Sequence, residues 1–552
     1  MKKGLKLLTL ATASFLALSG ITDSDTTYAQ EENEGNLVIG MNSEMVSLDV
    51  HGSNDNSSAQ IRRNVYEPLI NFDTEMNLVP SLATEWEQTD ENTWNFKLRE
   101  GVTFHEGSEF TAEDVKATFD RVRDPALGSE VLFLFEMIDE VEIVSDYEVN
   151  FITEFPFAPL QNHLAHGSSG IMSKEIIDSD YQNAIDQAGV DVTLEEYYEL
   201  REVGGDEFQE VADEIAPFLG EFVNTNLDGT GPLVFVNRQA GSHVDLTRND
   251  DYWGDLGNYV DVSYTVNTEA GSRMAELETG TIQVATALEP SSLTRVEQTD
   301  GLDVVSTESL RMSYLSFNTD REPFDDPLVR QAISYAIDRE AIISGIYDDV
   351  GIPATSPLAP AVWGHNPDIE SISYDMDEAQ ALLDQTEVAD GFETTLWVYD
   401  VQQDIDKAVL IQESLANLGI TVNIEQLELG AFLERTGNGE HDMFILGWTT
   451  VTADADYGMY ALFHSDSKGA PGNRSFYENP EVDELLDAGR SEIDEDARYD
   501  IYTEVQEILA EDAPMAYLIH TNALLGVNTN YVNNILVDPV NYVRFHDVEF
   551  VE

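Results

Sequence analysis

The chain has 552 residues, of which 42% are hydrophobic and 9% aromatic, the proportions of an ordinary globular protein. This length exceeds what one hydrophobic core supports, so two or three domains are expected. There are 106 acidic and 27 basic residues, a formal net charge of −79, and no cysteine. Disulfides, thiolate metal sites and a cysteine nucleophile are therefore excluded, and no nucleic-acid partner is expected because phosphates would be repelled.

The acidic residues are spread along the whole chain, so the charge does not indicate a disordered acidic tail. A surface of this charge repels itself and destabilises a compact fold unless salt screens it. In about 1 M salt the Debye length is only roughly 3 Å, so neighbouring carboxylates hardly interact. The composition therefore predicts a halophilic or haloalkaliphilic host. A purified protein that was fully folded and no less stable in salt-free buffer would contradict this prediction.

Residues 1–30 are predicted to be a signal peptide. Three lysines lie within the first six residues, and the apolar run Leu7–Leu18 is too short to span a bilayer. Leu18–Ile21 resembles a lipoprotein signal box with isoleucine in place of the lipid-bearing cysteine, so no lipid anchor is expected. Cleavage is predicted near Gln30. The mature protein is therefore expected in the periplasm or outside the cell.

The first predicted elements are strands, at Asn36–Met41 and within the segment Trp94–Val115. Apolar and polar residues alternate over the first five positions of that segment, which predicts a half-buried strand, and a second short strand is predicted at Val102–Phe104. Thr111, with Asp114 three residues later, forms a capping-box pattern and predicts the start of a helix.

This segment resembles the signature of family 5 extracellular solute-binding proteins, the receptors of ABC importers for dipeptides, oligopeptides, glutathione and nickel chelates. The matching residues are Leu98, Arg99, Gly101, Val102, Phe104, His105, Gly107, Phe110, Ala112, Asp114 and Val115. The resemblance implies an α/β, bilobed, periplasmic-binding-protein-like fold of class II, with mixed sheets and an extra subdomain in the first lobe. It also implies a monomer without cofactors that works with permease subunits at the membrane.

The resemblance gives a domain order as well. The first lobe is expected at residues 36–308, with its subdomain at about 86–228, and the second lobe at residues 309–519. The C-terminal residues 520–552 are expected to return to the first lobe. Tyr314–Asn318 resembles the first crossover between the lobes, and closure of the two lobes about this hinge would enclose a ligand.

The segment Gln182–Asn226 departs from the family pattern, since it is longer than expected and rich in acidic residues. Its apolar spacing predicts amphipathic surface helices. It is either a local insertion or a docking element for a partner. The motif that follows, Gly229–Pro232, is not a phosphate loop, because no Gly-Lys-Ser/Thr follows it.

The loop Gly447–Tyr457 is the most informative candidate for ligand binding. It follows a predicted strand, Met443–Leu446, and strand ends in α/β lobes are common ligand sites. In dipeptide and oligopeptide receptors of the family, an aspartate three residues after the tryptophan of this loop pairs with the peptide amine. Here that position is Val451. The loop resembles that of glutathione-binding members more closely.

The resemblance implies further ligand contacts, each with a structural alternative. A ligand carboxylate needs an arginine or a row of backbone N–H groups, and Arg311 is either that arginine or part of a surface ion pair. Asp454 either binds a ligand ammonium or caps the next helix, and Trp448 lines either the cleft or the core. The predicted ligand-binding set is Met45, Arg311, Tyr314, Trp448, Thr449, Thr450, Asp454 and Asp456.

No motif supports an enzyme or a metal site. His163 and His166 have a spacing seen in metal ligands, but no third ligand is evident nearby, and Gly167–Gly170 lacks the pattern of a nucleophile elbow. The sequence therefore predicts the secreted binding protein of an ABC importer for an oligopeptide, a dipeptide or a glutathione-like peptide. The alternatives are a nickel or metallophore receptor of the same fold and, from another class, a secreted hydrolase.

Overall fold

The computed structural model describes residues 35–369, 372–470 and 472–551. The predicted signal peptide lies outside these residues. Within them, no helix is long and apolar enough to cross a membrane.

Strands and helices are interspersed along the chain. The helices are α1 (Asn56–Val65), α2 (Ala112–Val122), α3 (Leu160–Leu164), α4 (Lys174–Ala188), α5 (Leu194–Val203), α6 (Asp206–Ile215), α7 (Ala270–Thr279), α8 (Leu293–Glu297), α9 (Pro327–Tyr335), α10 (Arg339–Ile346), α11 (Met376–Leu383), α12 (Gln402–Ala416), α13 (Leu429–Gly437), α14 (Ala455–Phe463), α15 (Pro480–Ser491) and α16 (Glu495–Asp512). The strands are β1 (Asn36–Met41), β2 (Ile70–Phe72), β3 (Leu78–Pro80), β4 (Ala83–Asp90), β5 (Thr93–Leu98), β6 (Ile138–Ser145), β7 (Glu148–Thr153), β8 (Leu233–Gln239), β9 (His243–Arg248), β10 (Asp261–Val266), β11 (Val284–Ala285), β12 (Leu302–Phe317), β13 (Ile352–Pro353), β14 (Glu393–Tyr399), β15 (Thr421–Leu427), β16 (Met443–Thr449), β17 (Met515–Asn528), β18 (Val532–Asn533), β19 (Leu536–Val537), β20 (Val543–Arg544) and β21 (Glu549–Phe550).

One large mixed sheet organises the chain. Its strands follow the order β15-β14-β16-β12-β17-β11-β1-β10-β9-β8, and β13 pairs with β17 as an eleventh strand. β1 is parallel to β10 and β11, and β14 is parallel to β15 and β16, whereas the long central strands β12 and β17 are antiparallel. This arrangement confirms the predicted α/β fold with mixed sheets.

The central strands β12 and β17 run through both halves of the sheet. Their register shifts between Glu308 and Met312 and again after Ser313. The predicted lobe boundary at residues 308–309 falls at the first of these irregularities, inside a continuous strand. We propose that the hinge between the lobes lies there, because a shift in register is where a paired ladder bends most easily.

A second, four-stranded antiparallel sheet carries the signature segment. Its order is β4-β5-β7-β6, and α2 packs on it through an edge-to-face contact of Phe119 with Phe151 of β7, whose ring centroids are 4.9 Å apart. The predicted strand at Trp94 is β5, and the capping box of Thr111 and Asp114 is formed, so both predictions are confirmed. The second predicted strand is wrong: only one bridge forms there, between Thr103 and Glu109.

The acidic segment Gln182–Asn226 forms the end of α4 together with α5 and α6, which confirms the prediction of amphipathic helices. They are fixed to the first lobe by hydrogen bonds from the hydroxyls of Tyr181 and Tyr197 to the carboxylate of Asp124, at 2.7 and 2.9 Å. Tyr197 itself is fully buried. The segment is thus an integral layer of this lobe.

The signature and the motif Gly229–Pro232 hold each other in place. The backbone N–H of His105 donates to Gly229 O at 2.9 Å, and the imidazole Nε2 lies 2.9 Å from Gly231 O. A Cβ on Gly229 would lie 2.1 Å from Val65 O, at the end of α1. Glycine is required here because two backbones meet closely.

Candidate ligand-binding site

A cavity of about 480 Å3 is lined by residues from both predicted lobes. Its volume is within the range of pockets that bind small molecules. The lining residues come from the segments predicted as the first lobe, from those predicted as the second lobe, and from β17 and the C-terminal segment. The polar residues that line it are Asn42, Thr268, Arg273, Glu289, Arg311, Ser313, Tyr347, Tyr399, Asp400, Gln403, Asp404, Lys407, Thr521, Asn522 and Asn541.

Arg311 enters this cavity from β12. It pairs in register with Thr449 of β16, and its guanidinium lies over Gly447, where a Cβ would be 2.3 Å from Nη2. The side chain is half-buried. Gly447 therefore makes the room in which this guanidinium lies.

The guanidinium of Arg311 has no partner among the described residues. It has no carboxylate within 4.0 Å and donates no hydrogen bond. Every other arginine and lysine in the described ranges pairs with a carboxylate or donates to a backbone carbonyl. Those that form hydrogen bonds to carbonyls but no ion pair are Arg62, Arg99, Arg238, Arg273, Arg330, Arg339 and Arg474. In a chain with a net charge of −79, one half-buried cation is left unpaired in the cleft.

Lys407, the other cation that the second lobe contributes to the cavity, is already neutralised. Lys407 is buried, and its ammonium contacts Asp404 and Ser313. Burial by itself would lower the pKa of Lys407, but the charge and hydrogen bond of Asp404, together with the neighbouring Tyr347, raise it overall. Lys407 thus stays charged and paired, and Arg273 of the first lobe is held by backbone carbonyls. Among the described residues that line the cavity, Arg311 is therefore the cation whose N–H donors have no protein partner.

The loop after β16 is only partly available to a ligand. The ring of Trp448 is half-buried and lies 5.5 Å from that of Tyr457, and its indole nitrogen has no hydrogen-bond partner among the described residues. Thr449 is half-buried, whereas Thr450 is buried with its N–H donating to Leu310 O at 3.2 Å. Trp448 and Thr449 remain predicted contacts at the wall of the cleft.

Asp454 and Asp456, both predicted to bind ligand, are occupied by the protein. Asp454 is 3% exposed, caps α14 and accepts two hydrogen bonds from Arg498, at 2.6 and 2.8 Å. Asp456 lies 3.1 Å from Arg490 and accepts a bond of 3.4 Å from Tyr502. The helix-cap interpretation of Asp454 is confirmed, and neither carboxylate is free for a ligand ammonium in this structure.

Two further predicted contacts have their side chains in the core. Tyr314 is 1% exposed, and its ring packs against Phe444 at 6.0 Å. Met45 is 2% exposed, and its carbonyl accepts from Arg238. The neighbouring Val46 is 65% exposed. Any contact of Met45 or Tyr314 with a ligand would therefore run through the backbone.

His163 and His166 form no metal site with other described residues, in which no group of three or more potential ligands occurs. Nδ1 of His163 lies 2.8 Å from Leu134 O, and Nδ1 of His166 accepts from Ser168 N at 3.1 Å. Burial lowers the pKa of both imidazoles, for His166 to about 3. His166 holds the turn after α3, and His163 ties α3 to the segment before β6.

Residues 77–470 match the sequence model described as "Bacterial extracellular solute-binding proteins, family 5 Middle". The chain belongs to this family. Two curated relatives are the dipeptide-binding protein of Escherichia coli (strain K12), 28% identical over 508 residues and 88% of each chain, and the glutathione-binding protein of Pectobacterium atrosepticum, 29% identical over 524 residues, 93% of this chain and 94% of the relative.

The family fold is also found in solved structures. The ABC transporter-associated periplasmic binding protein DppA from Helicobacter pylori, in complex with the peptide STSA, superposes with a TM-score of 0.77 at 29% identity. The match covers 94% of this chain and 98% of that one. The family 5 fold thus extends over nearly the whole chain.

Proposed function

We propose that this protein is the exported peptide receptor of an ABC importer, which captures a peptide between its lobes and delivers it to permease subunits at the membrane. Relatives named for dipeptide and glutathione binding, and a structural neighbour that holds a peptide, support this class of ligand. The observation that carries the proposal is the unpaired guanidinium of Arg311 in the interlobe cavity.

Every peptide of these kinds has a carboxylate, and Arg311 is suited to bind it. A guanidinium offers a planar fork of N–H donors that matches a carboxylate, and charge-assisted hydrogen bonds are the strong ones. Elsewhere on this protein an anion would meet excess negative charge. The free cation in the cavity therefore attracts an anionic group to this one position and orients it.

A thermal-shift panel in high salt tests the proposal. Dipeptides, tripeptides, longer peptides and glutathione are added to separate samples, with nickel–histidine as the probe for the alternative function. We expect a rise in the unfolding midpoint with at least one peptide, because a ligand that binds only the folded state stabilises it. A rise with nickel–histidine and none with any peptide would contradict a peptide receptor.

A further inference from the structure

We propose that the acidic segment (residues 182–226) positions the β1 loop (residues 42–48) for contact with the peptide, and that Asn224 is the residue through which it acts. The inference rests on the proposed function, and it assigns a role to a segment that is longer than the family pattern predicts. Its ground is the hydrogen bonding of the β1 loop, whose backbone is held by the acidic segment at one end and lacks protein partners toward the other.

The backbone of the β1 loop is unpaired just after it leaves the sheet. The loop begins at Asn42, which lines the same cavity as Arg311. The N–H groups of residues 43–46 donate to no described residue, and only the side chain of Met45 is buried in this stretch. Consecutive backbone donors can pair with the carbonyls of an extended peptide, as in strand addition. Such pairing requires that the loop keeps its shape.

Asn224 fixes the other end of the β1 loop. Its side-chain oxygen Oδ1 accepts a hydrogen bond from Leu48 N at 2.6 Å, and Leu48 itself is fully buried. The same oxygen accepts from Nη1 of Arg238 at 3.5 Å, and Nη2 of Arg238 donates to Met45 O. One amide oxygen of the acidic segment is thus connected to the loop directly at Leu48 and, through Arg238, at Met45.

The turn that carries Asn224 is itself anchored beside the loop. Asn224 N donates to Gly220 O at 3.1 Å, and Gly220 N donates to the carboxylate of Asp180 at 3.0 and 3.1 Å. Arg121 joins Asp180, at 3.0 Å, to Asp49, at 2.7 and 2.9 Å. Asp49 directly follows the β1 loop, and a Cβ on Gly220 would lie only 3.0 Å from its Oδ2. The end of the acidic segment and the end of the loop are therefore held by one network.

The middle of the β1 loop is held by α1 and by the turn between β8 and β9. Ser47 N donates to Ser58 Oγ of α1 at 3.1 Å, and Glu44 Oε1 accepts from Gly241 N at 2.6 Å. Neither contact uses the N–H groups of residues 43–46. A binding segment supported in this way keeps its position without the ligand having to order it. Loss of the Asn224 side chain removes this support at Leu48 and leaves its N–H without a partner.

Hydrogen exchange followed by mass spectrometry tests the loop contact on the whole protein in high salt. The probe is the peptide that gives the largest rise in the unfolding midpoint. We expect it to slow amide exchange at residues 43–46 of the wild type, because their N–H groups become hydrogen-bonded to the peptide. Unchanged exchange at these residues in the presence of saturating peptide would overturn the inference.

Calorimetric titration with the same peptide tests the role of Asn224. Asn224→Ala removes the acceptor of Leu48 N, and we expect the peptide to bind about five- to tenfold more weakly, the usual effect of one lost hydrogen bond. Asn224→Asp keeps an acceptor oxygen beside Arg238 and should bind like the wild type. Arg238→Met cuts the connection to Met45 O and should also weaken binding, which keeps the inference testable where Asn224→Ala yields little folded protein.

Gln209→Ala is the matched control. It removes an amide from an exposed position on α6 of the same segment, where the side chain bonds only to Asp213 of its own helix. Its affinity for the peptide should equal that of the wild type. Wild-type affinity in both Asn224→Ala and Arg238→Met would overturn the inference, as would equal losses in Asn224→Ala and Asn224→Asp.

The failure of this inference is distinct from the failure of the proposed function. If the wild type binds no peptide, the proposed function itself is wrong. If it binds a peptide without protection of residues 43–46, or with an affinity that does not depend on Asn224 and Arg238, only the role of the acidic segment is wrong.

Discussion

At the scale of single residues, two buried ion pairs fix the loop between β16 and α14. Arg498 pairs with Asp454 through two hydrogen bonds, and Arg490 pairs with Asp456. Burial would lower the pKa of Arg498, but the charge and hydrogen bonds of Asp454, together with Tyr502 and Asp456, raise it overall. The carboxylates stabilise the wall of the cleft, and the arginines that hold them come from α15 and α16.

Asp454→Asn should therefore lower stability and leave ligand choice unchanged. Removal of one partner of a buried pair leaves the other charge uncompensated and costs about 3–5 kcal/mol. The free energy of unfolding by denaturant, measured in high salt, should fall by that order. Asp500→Asn, an exposed position on the same helix as Arg498, is the control and should change little.

Unchanged stability in Asp454→Asn, together with a lost preference for peptides with a free amine, would contradict this role and restore Asp454 as a ligand contact.

Single residues of the site could be predicted from the sequence only where a nearby motif or strand pattern marks them. Arg311 lies in a strand next to a recognisable crossover, so its approach to the cleft could be anticipated. Alternation along β12 places Ser313 with Arg311 on the cavity side and Tyr314 on the other face, which would have excluded Tyr314. Glu289 is one of 106 acidic residues and has no motif. Only the fold shows that it lines the same cavity as Arg311.

At the scale of elements, close backbone contact between the signature segment, Gly229–Pro232 and α1 explains why glycines recur there. Gly231, like Gly229, lies against the backbone at the end of α1, since a Cβ on Gly231 would lie 2.5 Å from Asn64 O. Both clashes are with backbone atoms, which no side-chain rotation relieves. Val102–Phe104, predicted as a strand, pairs only with Ser108–Phe110 across the turn that follows it, through one bridge between Thr103 and Glu109. His105, in that turn, bonds to the glycine motif.

Gly229→Ala should destabilise the first lobe. The added methyl group would lie 2.1 Å from Val65 O, and overpacking of this kind typically costs about 1–3 kcal/mol or more. Gly345→Ala is the matched control, because Gly345 lies inside α10 with nothing within 4 Å of the added methyl group. The control should be neutral or stabilising, since alanine is favoured over glycine in a helix by about 1 kcal/mol.

Thermal unfolding in high salt compares the two variants. Equal midpoints for Gly229→Ala and Gly345→Ala would contradict the close backbone contact.

At the scale of the whole molecule, buried histidines link stability to pH. Burial lowers the pKa of His51, His166 and His441 to about 3 and that of His520 to about 4, from 6.5. All four are therefore neutral in the folded protein at pH 5, whereas the unfolded chain protonates them. As pH falls from about 6.5 toward 4, the unfolded state binds more protons, so these groups reduce stability in that window.

His441→Gln isolates one of these contributions. Each neutral buried histidine lowers the free energy of unfolding by up to about 1.4 kcal/mol per pH unit in that window. Burial raises the pKa of carboxylates such as Glu67 and Asp180 and acts in the opposite direction, but equally in both proteins. Denaturant unfolding from pH 7 to 5 at constant high salt should show a shallower loss of stability for the variant. Parallel profiles would contradict this account of His441.

The bilobed, mixed-sheet architecture could be predicted because one signature segment identifies the family, and family members share a chain order. The register shift at which we propose the hinge could not be predicted from the sequence, because the pairing of β12 with β17 leaves no mark in either strand alone. The halophilic interpretation of the net charge stays a prediction.

Which charged side chains of the cleft are paired and which are not depends on three distant segments, and only the folded chain brings these segments together.

The central claim is that Arg311 binds the carboxylate of a peptide. Calorimetric titration of wild type and Arg311→Ala, each with a peptide and its C-terminally amidated form, tests it directly, with Arg295→Ala as a control at an exposed ion pair. We predict that amidation weakens binding to the wild type about tenfold or more, that Arg311→Ala weakens binding of the free peptide similarly, and that amidation has no further effect on this variant. Equal losses on amidation in the wild type and in Arg311→Ala would contradict the claim.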